Sequence, residues 1–261
     1  MKVTIIIPTY TNLTGFSKLI HQLRLAHFPI IVIDNLSTEE KRKLCNSTTI
    51  TYLPQKKNIG FARAINLGIK YAKTEWILIL NDDVFFQDKK IIEKLVRFAE
   101  KSKYSAVTPI LKNGNGAIEN IGYHVLPIGR VQLNFDKTKF NQKDLDGLTA
   151  ACLVIKKRVY DEIDGFDERF FAYLEDVDLF LRLKKQGYTF AVDLDIEVIH
   201  NKNTTSSKME NFKQKQDLKN WFLVIANNWD KKTILRYLPY IIIERLRNLS
   251  GYIKATYENW I

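Results

Sequence analysis

The apolar residues of this chain fall into two kinds of pattern. Four runs are short and continuous: Lys2-Val-Thr-Ile-Ile-Ile-Pro8, Ile30 to Ile33, Thr49 to Leu53, and Trp76-Ile-Leu-Ile-Leu80, whose strand is expected to end at Asp83. Continuous apolar character with no polar alternation suits strands buried on both faces of a parallel sheet. Between these runs the apolar residues recur at helical spacing. They predict a helix capped by Thr14 and running to about Ala26, a short charged helix from Ser37 or Thr38, and a helix opening at Asn58 and reaching about Lys73. Strands and helices alternating in this way give the βαβ rhythm of a Rossmann-like, mostly parallel sheet.

Each strand stops where polar chemistry begins. The first ends at Pro8 and gives way to Thr9-Tyr-Thr-Asn12, the second delivers Asp34-Asn35, and the fourth runs into Asn81-Asp82-Asp83. Ligands of open α/β sheets bind just beyond the carboxyl ends of the strands. Carboxylates placed there can meet a hard divalent cation and a phosphate, although Asn and Asp are also ordinary turn residues. No G-x-G-x-x-G follows the first strand, which argues against nicotinamide-dependent hydride transfer.

Beyond Asp83 the pattern changes. It predicts a helix over Lys89–Lys101, a strand at Ala106–Ile110, a hairpin region over Ile118–Leu133, a strand at Leu148–Ile155 and a short helix over Val159–Phe166 with its stop at Gly165. Then comes Phe170-Phe-Ala-Tyr-Leu-Glu-Asp-Val-Asp-Leu-Phe-Leu-Arg182, with a helix from Glu175 to about Gln186. Acids in a first helical turn complement the helix dipole. The aromatic cluster of Phe170, Phe171 and Tyr173 supplies a second reason, because desolvation raises a carboxylate's pKa into the range useful to a general acid or base. Short strands at Tyr188–Val192 and Ile196–Ile199 end at His200, which by position alone reads as a structural residue.

With 261 residues, 46 % of them hydrophobic, the chain fits one large α/β domain or one domain with an appendage. No apolar run approaches the ~20 residues of a membrane span, and Pro8 ends the first run too early for a signal peptide. Cys45 and Cys152 are too few for a disulfide framework or a cysteine zinc site, so a reducing, cytoplasmic setting is expected. The net charge of +11 suits nucleic acid, an anionic membrane face or a solvated lysine-rich surface. Its distribution narrows the choice. Helices expected over Phe212–Asn227 and Thr233–Tyr257 interleave Lys and Arg with apolar residues, and Pro239 is expected to kink or break the second. Such helices can lie peripherally on an anionic membrane. The alternative is packing on the chain's own domain or on a second subunit of a homo-oligomer. No aromatic-studded basic groove suggests nucleic acid.

The ordered succession Ile5-Ile-Ile-Pro-Thr-Tyr10, Val32-Ile-Asp-Asn35, Asn58-Ile-Gly60 with Asn66, Leu80-Asn-Asp-Asp-Val84 and Phe171-x-Tyr-x-Glu-Asp-Val-Asp-Leu179 resembles family 2 glycosyltransferases of the GT-A fold. Within that family it is most similar to rhamnosyltransferase-like and galactofuranosyltransferase-like members, over about residues 2 to 230. The resemblance implies an α/β GT-A catalytic domain over 1–210, with a nucleotide-binding half at 1–84 and an acceptor-binding half at 85–210. Residues 211–261 would then form a basic amphipathic helical extension. It implies an inverting transfer from a UDP- or dTDP-sugar, dTDP-rhamnose among them, to a glycan or lipid-linked glycan acceptor in cell-surface polysaccharide synthesis. Pro8, Thr9, Tyr10, Asp34, Asn58, Gly60, Arg63, Asn81 and Asp82 would contact the nucleotide, with Asp34 accepting from a pyrimidine N3–H. Asp83 and His200 would hold Mn²⁺ or Mg²⁺; His200 stands where this subgroup places a metal-binding histidine, about two dozen residues after the acid at 176. Asn81 replaces the first acid of the D-x-D pattern, which removes one negative charge from the metal site. Asp176 would be the general base, with Glu175 beside it. Gly147, Thr149, Ala150, Tyr123, His124 and Asp178 would line the acceptor side. Two other classes compete: a nucleotidyltransferase, which would be expected to carry a Gly-rich, basic phosphate loop after the first strand, and a non-catalytic binding protein on the same fold.

Overall fold

The computed structural model describes residues 3–24, 28–88, 90–201 and 210–258. The first half runs β1 (Val3–Thr9), α1 (Leu13–Leu23), β2 (Ile30–Asp34), α2 (Glu39–Leu44), β3 (Ile50–Pro54), α3 (Phe61–Ile69) and β4 (Trp76–Leu80). The second half runs β5 (Val84–Phe85), α4 (Ile91–Lys101), β6 (Ala106–Lys112), β7 (Ile118–Asn120), β8 (Tyr123–Leu126), β9 (Arg130–Leu133), β10 (Cys152–Lys156), α5 (Lys157–Glu162), α6 (Glu175–Lys185) and β11 (Phe190–His200). Two helices, α7 (Glu210–Asn228) and α8 (Lys231–Glu258), complete it.

The main sheet has the order β3-β2-β1-β4-β10-β6-β11-β5, with β7 paired to β6, and β8–β9 form a separate hairpin. Strands β3, β2, β1 and β4 are parallel, as their continuous apolar runs predict. Strand β10 is antiparallel to both β4 and β6, and β11 is parallel to β6. Hence β1, β2, β4 and β11 all end at one edge of the sheet, and β10 begins there. That edge collects Thr9, Asp34, Asn81–Asp83, His200 and the residues leading into Cys152.

Successive strand side chains point to opposite faces, and each face has its own core. Ile5 and Ile7 of β1, with Trp76, Leu78 and Leu80 of β4, pack towards Phe16 and Leu19 of α1 and Leu95 of α4. Ile6, Ile77 and Ile79 pack on the other side with Ile65 of α3, Phe180 of α6, and Trp221 and Val224 of α7.

Several boundaries differ from the sequence reading. Helix α1 is capped by Asn12 rather than Thr14, through a 2.9 Å bond from the Gly15 N–H to the Asn12 side chain; Ala26 and Lys89 lie outside the described residues. Asn58–Gly60 form a loop before α3, because Gly60 adopts a φ of +86° that ends any helix there. Asn81–Asp83 follow β4 as a turn. The expected strand at 148–155 starts only at Cys152, and β11 is one strand with a register irregularity between Asp193 and Glu197 in place of two short ones. Pro239 neither breaks nor splits α8. It sits on the exposed side of the helix, where water can take the hydrogen bond that its missing N–H forfeits.

Candidate functional site

The turn after β4 is tied to its neighbours by short polar contacts. The Asn81 N–H donates to the Ala151 carbonyl at 2.9 Å. The Thr9 hydroxyl donates to Asp82 at 2.7 Å, and the Asn12 amide reaches both the carboxylate and the carbonyl of Asp82 at 3.3 Å. Asp82 therefore braces the first loop against the fourth strand. Burial pushes its pKa up to about 7, the charge of Asp83 adds to the rise, and the Thr9 and Asn12 bonds oppose it.

Asp83 faces His200, because His200 pairs with Val84 across β11 and β5. Imidazole Nε2 lies 3.2 Å from Asp83 Oδ1, and Nδ1 lies 3.0 Å from Glu119 Oε1. Burial alone would lower the His200 pKa; the two carboxylates outweigh it and raise the value to about 9. Among the described residues Asp83 Oδ1 is buried without an aligned hydrogen bond, as is Asn81 Oδ1 beside it. An oxygen and an imidazole nitrogen with an acid behind the ring form a donor set that suits a divalent cation, the second carboxylate fixing the tautomer and orientation of the histidine. No group of three or more His, Cys, Asp or Glu side chains among the described residues could hold a metal by itself, so a cation at Asp83 and His200 would need further oxygens from water and substrate.

Asp34 is fully buried and turned inward. Lys41 Nζ pairs with it at 2.8 Å, the Tyr52 hydroxyl donates at 2.6 Å, and the Leu36 N–H donates at 3.1 Å. Lys41 is itself buried and also donates to the Tyr10 and Leu36 carbonyls. The carboxylate thus keeps about one of its four acceptor positions, and Lys41 links it to the Pro8–Tyr10 loop. Asn58 accepts the Gly60 N–H at 2.9 Å. Gly60 is required twice over: its φ is positive, and a Cβ there would strike the Phe171 carbonyl. Arg63 forms an exposed 2.9 Å ion pair with Glu168.

The second acid pair stands at the start of α6. Tyr173 and Leu174 precede it with φ of +68° and +64°, two consecutive left-handed residues that are not glycine. Such residues persist only where their surroundings over-determine them. Here the cause is Asn220 of α7, fully buried, whose amide donates to the Ala172 and Tyr173 carbonyls at 2.8 and 2.7 Å. Burial raises the pKa of both Glu175 and Asp176, and Asp176's charge raises Glu175 further. Backbone N–H groups of Val177, Ala150 and Asp176 itself pull Asp176 back, whereas Glu175 Oε2 has no hydrogen-bond partner among the described residues. Asp176 is accordingly the member better able to hold the charge.

Tyr123, Gly147 and Ala150 gather around this pair. The Tyr123 hydroxyl is buried without a partner among the described residues, its pKa raised by burial and then by Asp176 and Glu175, and its ring occupies the space a Cβ on Gly147 would need. Thr149 accepts the Ala151 N–H at 3.4 Å. His124 lies apart, in the hairpin, 3.4 Å from the Asn134 amide. Asp178 is a correction. It is fully buried and held by Arg182 at 2.8 Å and by Asn227 and Asn228 at 2.9 Å, so it joins α6 to α7 and faces no acceptor.

Comparison with known proteins decides the family. Residues 4–164 match the model of glycosyl transferase family 2. The chain belongs to that family. Among its relatives, the low-salt glycan biosynthesis hexosyltransferase Agl10 of Haloferax volcanii is 27 % identical over 89 % of this chain and 78 % of its own length. Rhamnosyltransferase WbbL of Escherichia coli is 23 % identical over 71 % of this chain and 78 % of its own. The N-acetylglucosaminyl-diphospho-decaprenol L-rhamnosyltransferase of Mycobacterium tuberculosis is 24 % identical, covering 66 % of each. The mannosyltransferase PcManGT of Pyrobaculum calidifontis, solved with GDP-Man and Mn²⁺, superposes over 98 % of this chain and 73 % of its own with a TM-score of 0.65 at 15 % identity. GalNAc-T7, solved with UDP, GalNAc and Mn²⁺, gives 0.69 over 96 % of this chain and 51 % of its own at 14 % identity. These likenesses give the family 2 glycosyltransferase the GT-A fold.

Sequence reasoning missed Asn12, Lys41, Glu119 and Asn220. Asn12 carried a signal, being an N-cap type of residue directly after the first strand's loop. Lys41 stands in a charged helix and Asn220 among lysines, and nothing local marks either as buried.

Proposed function

We propose that this glycosyltransferase moves a sugar from a pyrimidine nucleotide-diphosphate donor to a hydroxyl of a glycan or lipid-linked glycan, with inversion, in the building of a surface polysaccharide. The observation that carries this reading is the segment Thr149–Ala151. Ala151 receives the Asn81 N–H, and the neighbouring Ala150 backbone lies close enough to Asp176 to lower its pKa, so this half-buried carboxylate stands about one residue's step from the turn that bears Asp83. A donor diphosphate at that turn would present its anomeric carbon towards Asp176.

The acceptor O–H gives its proton to Asp176 as the oxygen attacks the anomeric carbon, and the carbon–oxygen bond to the diphosphate breaks on the opposite face. One displacement inverts the centre without a covalent enzyme intermediate. The Val177 N–H, 2.8 Å from the Asp176 carboxylate, favours its ionised form, and the more strongly raised Glu175 retains the shared proton. Asp83 and His200 would hold the divalent cation, oriented by Glu119. When bound, the cation stabilises charge on the leaving diphosphate as a Lewis acid. Asp34, buried beneath Lys41 and Tyr52, would support the base pocket from behind through its Lys41 link to the Pro8–Tyr10 loop.

The test is a thermal-shift and calorimetric titration with UDP, dTDP, GDP and AMP, with and without Mn²⁺. A pyrimidine diphosphate is expected to raise the midpoint with the logarithm of its concentration, more strongly with Mn²⁺, and not in Asp83→Ala. No response to any nucleotide would overturn the reading.

A further inference from the structure

Helix α8 shows three faces when its residues are placed at 3.6 per turn. Ile241, Glu244 and Arg245 point inward and are buried. There Glu244 pairs with Arg130, and Arg245 donates to the Gly129 carbonyl at 2.5 Å while its guanidinium lies 5.0 Å from the centre of the Trp221 ring. This face fixes α8 to the β8–β9 hairpin and to α7.

The second face carries Leu235, Ile242, Leu246, Leu249 and Ile253, whose positions fall within an arc of about 60°. All five are exposed, from 39 % at Leu249 to 72 % at Leu235. Isolated exposed leucines are ordinary, but a continuous stripe along a helix of 28 residues marks an interaction surface. The third face borders the stripe. Arg236, Arg247 and Lys254 fall within about 20° of one another on it, and Lys231 and Lys232 stand at the helix start.

Charge decides what covers the stripe. Against its six basic residues the helix has only Glu244 and Glu258, and Glu244 is already taken by Arg130 and Arg247. A second copy of α8 laid on the stripe would bring together two helices of net positive charge, each with two acids against six bases. An anionic lipid surface would accept both faces at once, with the apolar stripe at the acyl boundary and the basic row on the headgroups. No helix among the described residues is long and apolar enough to cross a membrane, so this contact lies in the plane of the surface. We propose that α8 docks this protein on an anionic bilayer through Leu235, Ile242, Leu246, Leu249 and Ile253, with Arg236, Arg247 and Lys254 on its headgroups. Because α8 grips the β8–β9 hairpin, whose Tyr123 reaches Gly147, docking would hold the side of the site that lies against Tyr123 at a fixed relation to the lipid surface.

The test is co-sedimentation of the full chain with phosphatidylcholine vesicles containing phosphatidylglycerol, against phosphatidylcholine alone. Binding is expected to the anionic vesicles at 0.1 M salt and to weaken sharply at 0.5 M. Arg236→Gln with Lys254→Gln should weaken it about 25-fold, at roughly fivefold per charge. Ile242→Ser with Leu246→Ser should abolish it while the thermal midpoint stays at or above the parent's, since both residues are exposed. Protein that remains in the supernatant with anionic vesicles overturns the proposal. So does a dimer, seen by sedimentation velocity, that the serine variant dissociates, because a second copy would then be the occupant.

Discussion

Two acid pairs meet at one edge of the sheet and are held there by opposite means. Asp82 and Asp83 continue β4, and nearly everything that positions them comes from adjacent strand ends: Thr9 and Asn12 after β1, and His200 at the close of β11. Glu175 and Asp176 stand on a turn that is left-handed at two bulky residues, and the group that holds it, Asn220, comes from a helix far along the chain. The first pair is a product of the sheet. The second is a product of tertiary packing, with α7 imposing a turn the backbone would not choose. The pairs should therefore fail differently, one through donor and metal binding and the other through turnover.

The largest effect expected is in the second pair. Asp176→Asn should lower kcat about 10³-fold, the range of a general base, while calorimetry finds nucleotide affinity unchanged within about twofold. A loss of nucleotide binding without a loss of turnover would erase the contrast. In the first pair, Asp83→Ala should reverse the pattern, costing about 10²-fold in Mn²⁺-supported nucleotide affinity. Glu119→Gln, acting only through the His200 ring, should weaken Mn²⁺ binding about tenfold.

The contrast also explains what the sequence could reveal. The parallel strands and Asp83 were legible because a buried strand writes itself as a continuous apolar run, and a parallel sheet turns every strand's end to the same edge. Asp176 was legible as a helix-start acid behind aromatics. Its support was not, since the Asn220 contact bridges elements whose meeting no local pattern encodes. Asp178 was misread for the same reason: its partners Asn227 and Asn228 lie on α7. Arg63 and Asp34 were placed by resemblance at the nucleotide, and their observed partners Glu168 and Lys41 carry no sequence signature.

Asn220→Ala sharpens the comparison directly. It leaves every residue of both acid pairs in place and removes two hydrogen bonds from the turn. Turnover should fall about tenfold as Asp176 loses its fixed position, with the KM for the donor unchanged. Hydrogen exchange at Ala172–Leu174 should accelerate while exchange at Asn81–Asp83 does not. Equal acceleration at both turns would show that the two pairs share one support.

The smallest effect separates the two members of the second pair. Glu175 titrates above the ordinary glutamate range in the folded protein because burial and Asp176's charge disfavour its ionised form. The unfolded chain releases that proton near the usual value of about 4.3. Between the two values the folded state holds a proton the unfolded state has lost, so stability falls as pH rises through that window. Glu175→Gln cannot ionise and removes this slope. Its Tm should match the parent's near pH 4 and exceed it by about 4 °C at pH 8, on the order of 1–2 kcal/mol for a domain of this size. Because Glu175 already holds the proton when Asp176 acts, the variant should keep most of kcat and the same acidic limb in its pH profile. Loss of that limb would transfer the base to Glu175 and leave Asp176, held by the Val177 N–H, as the residue that positions it.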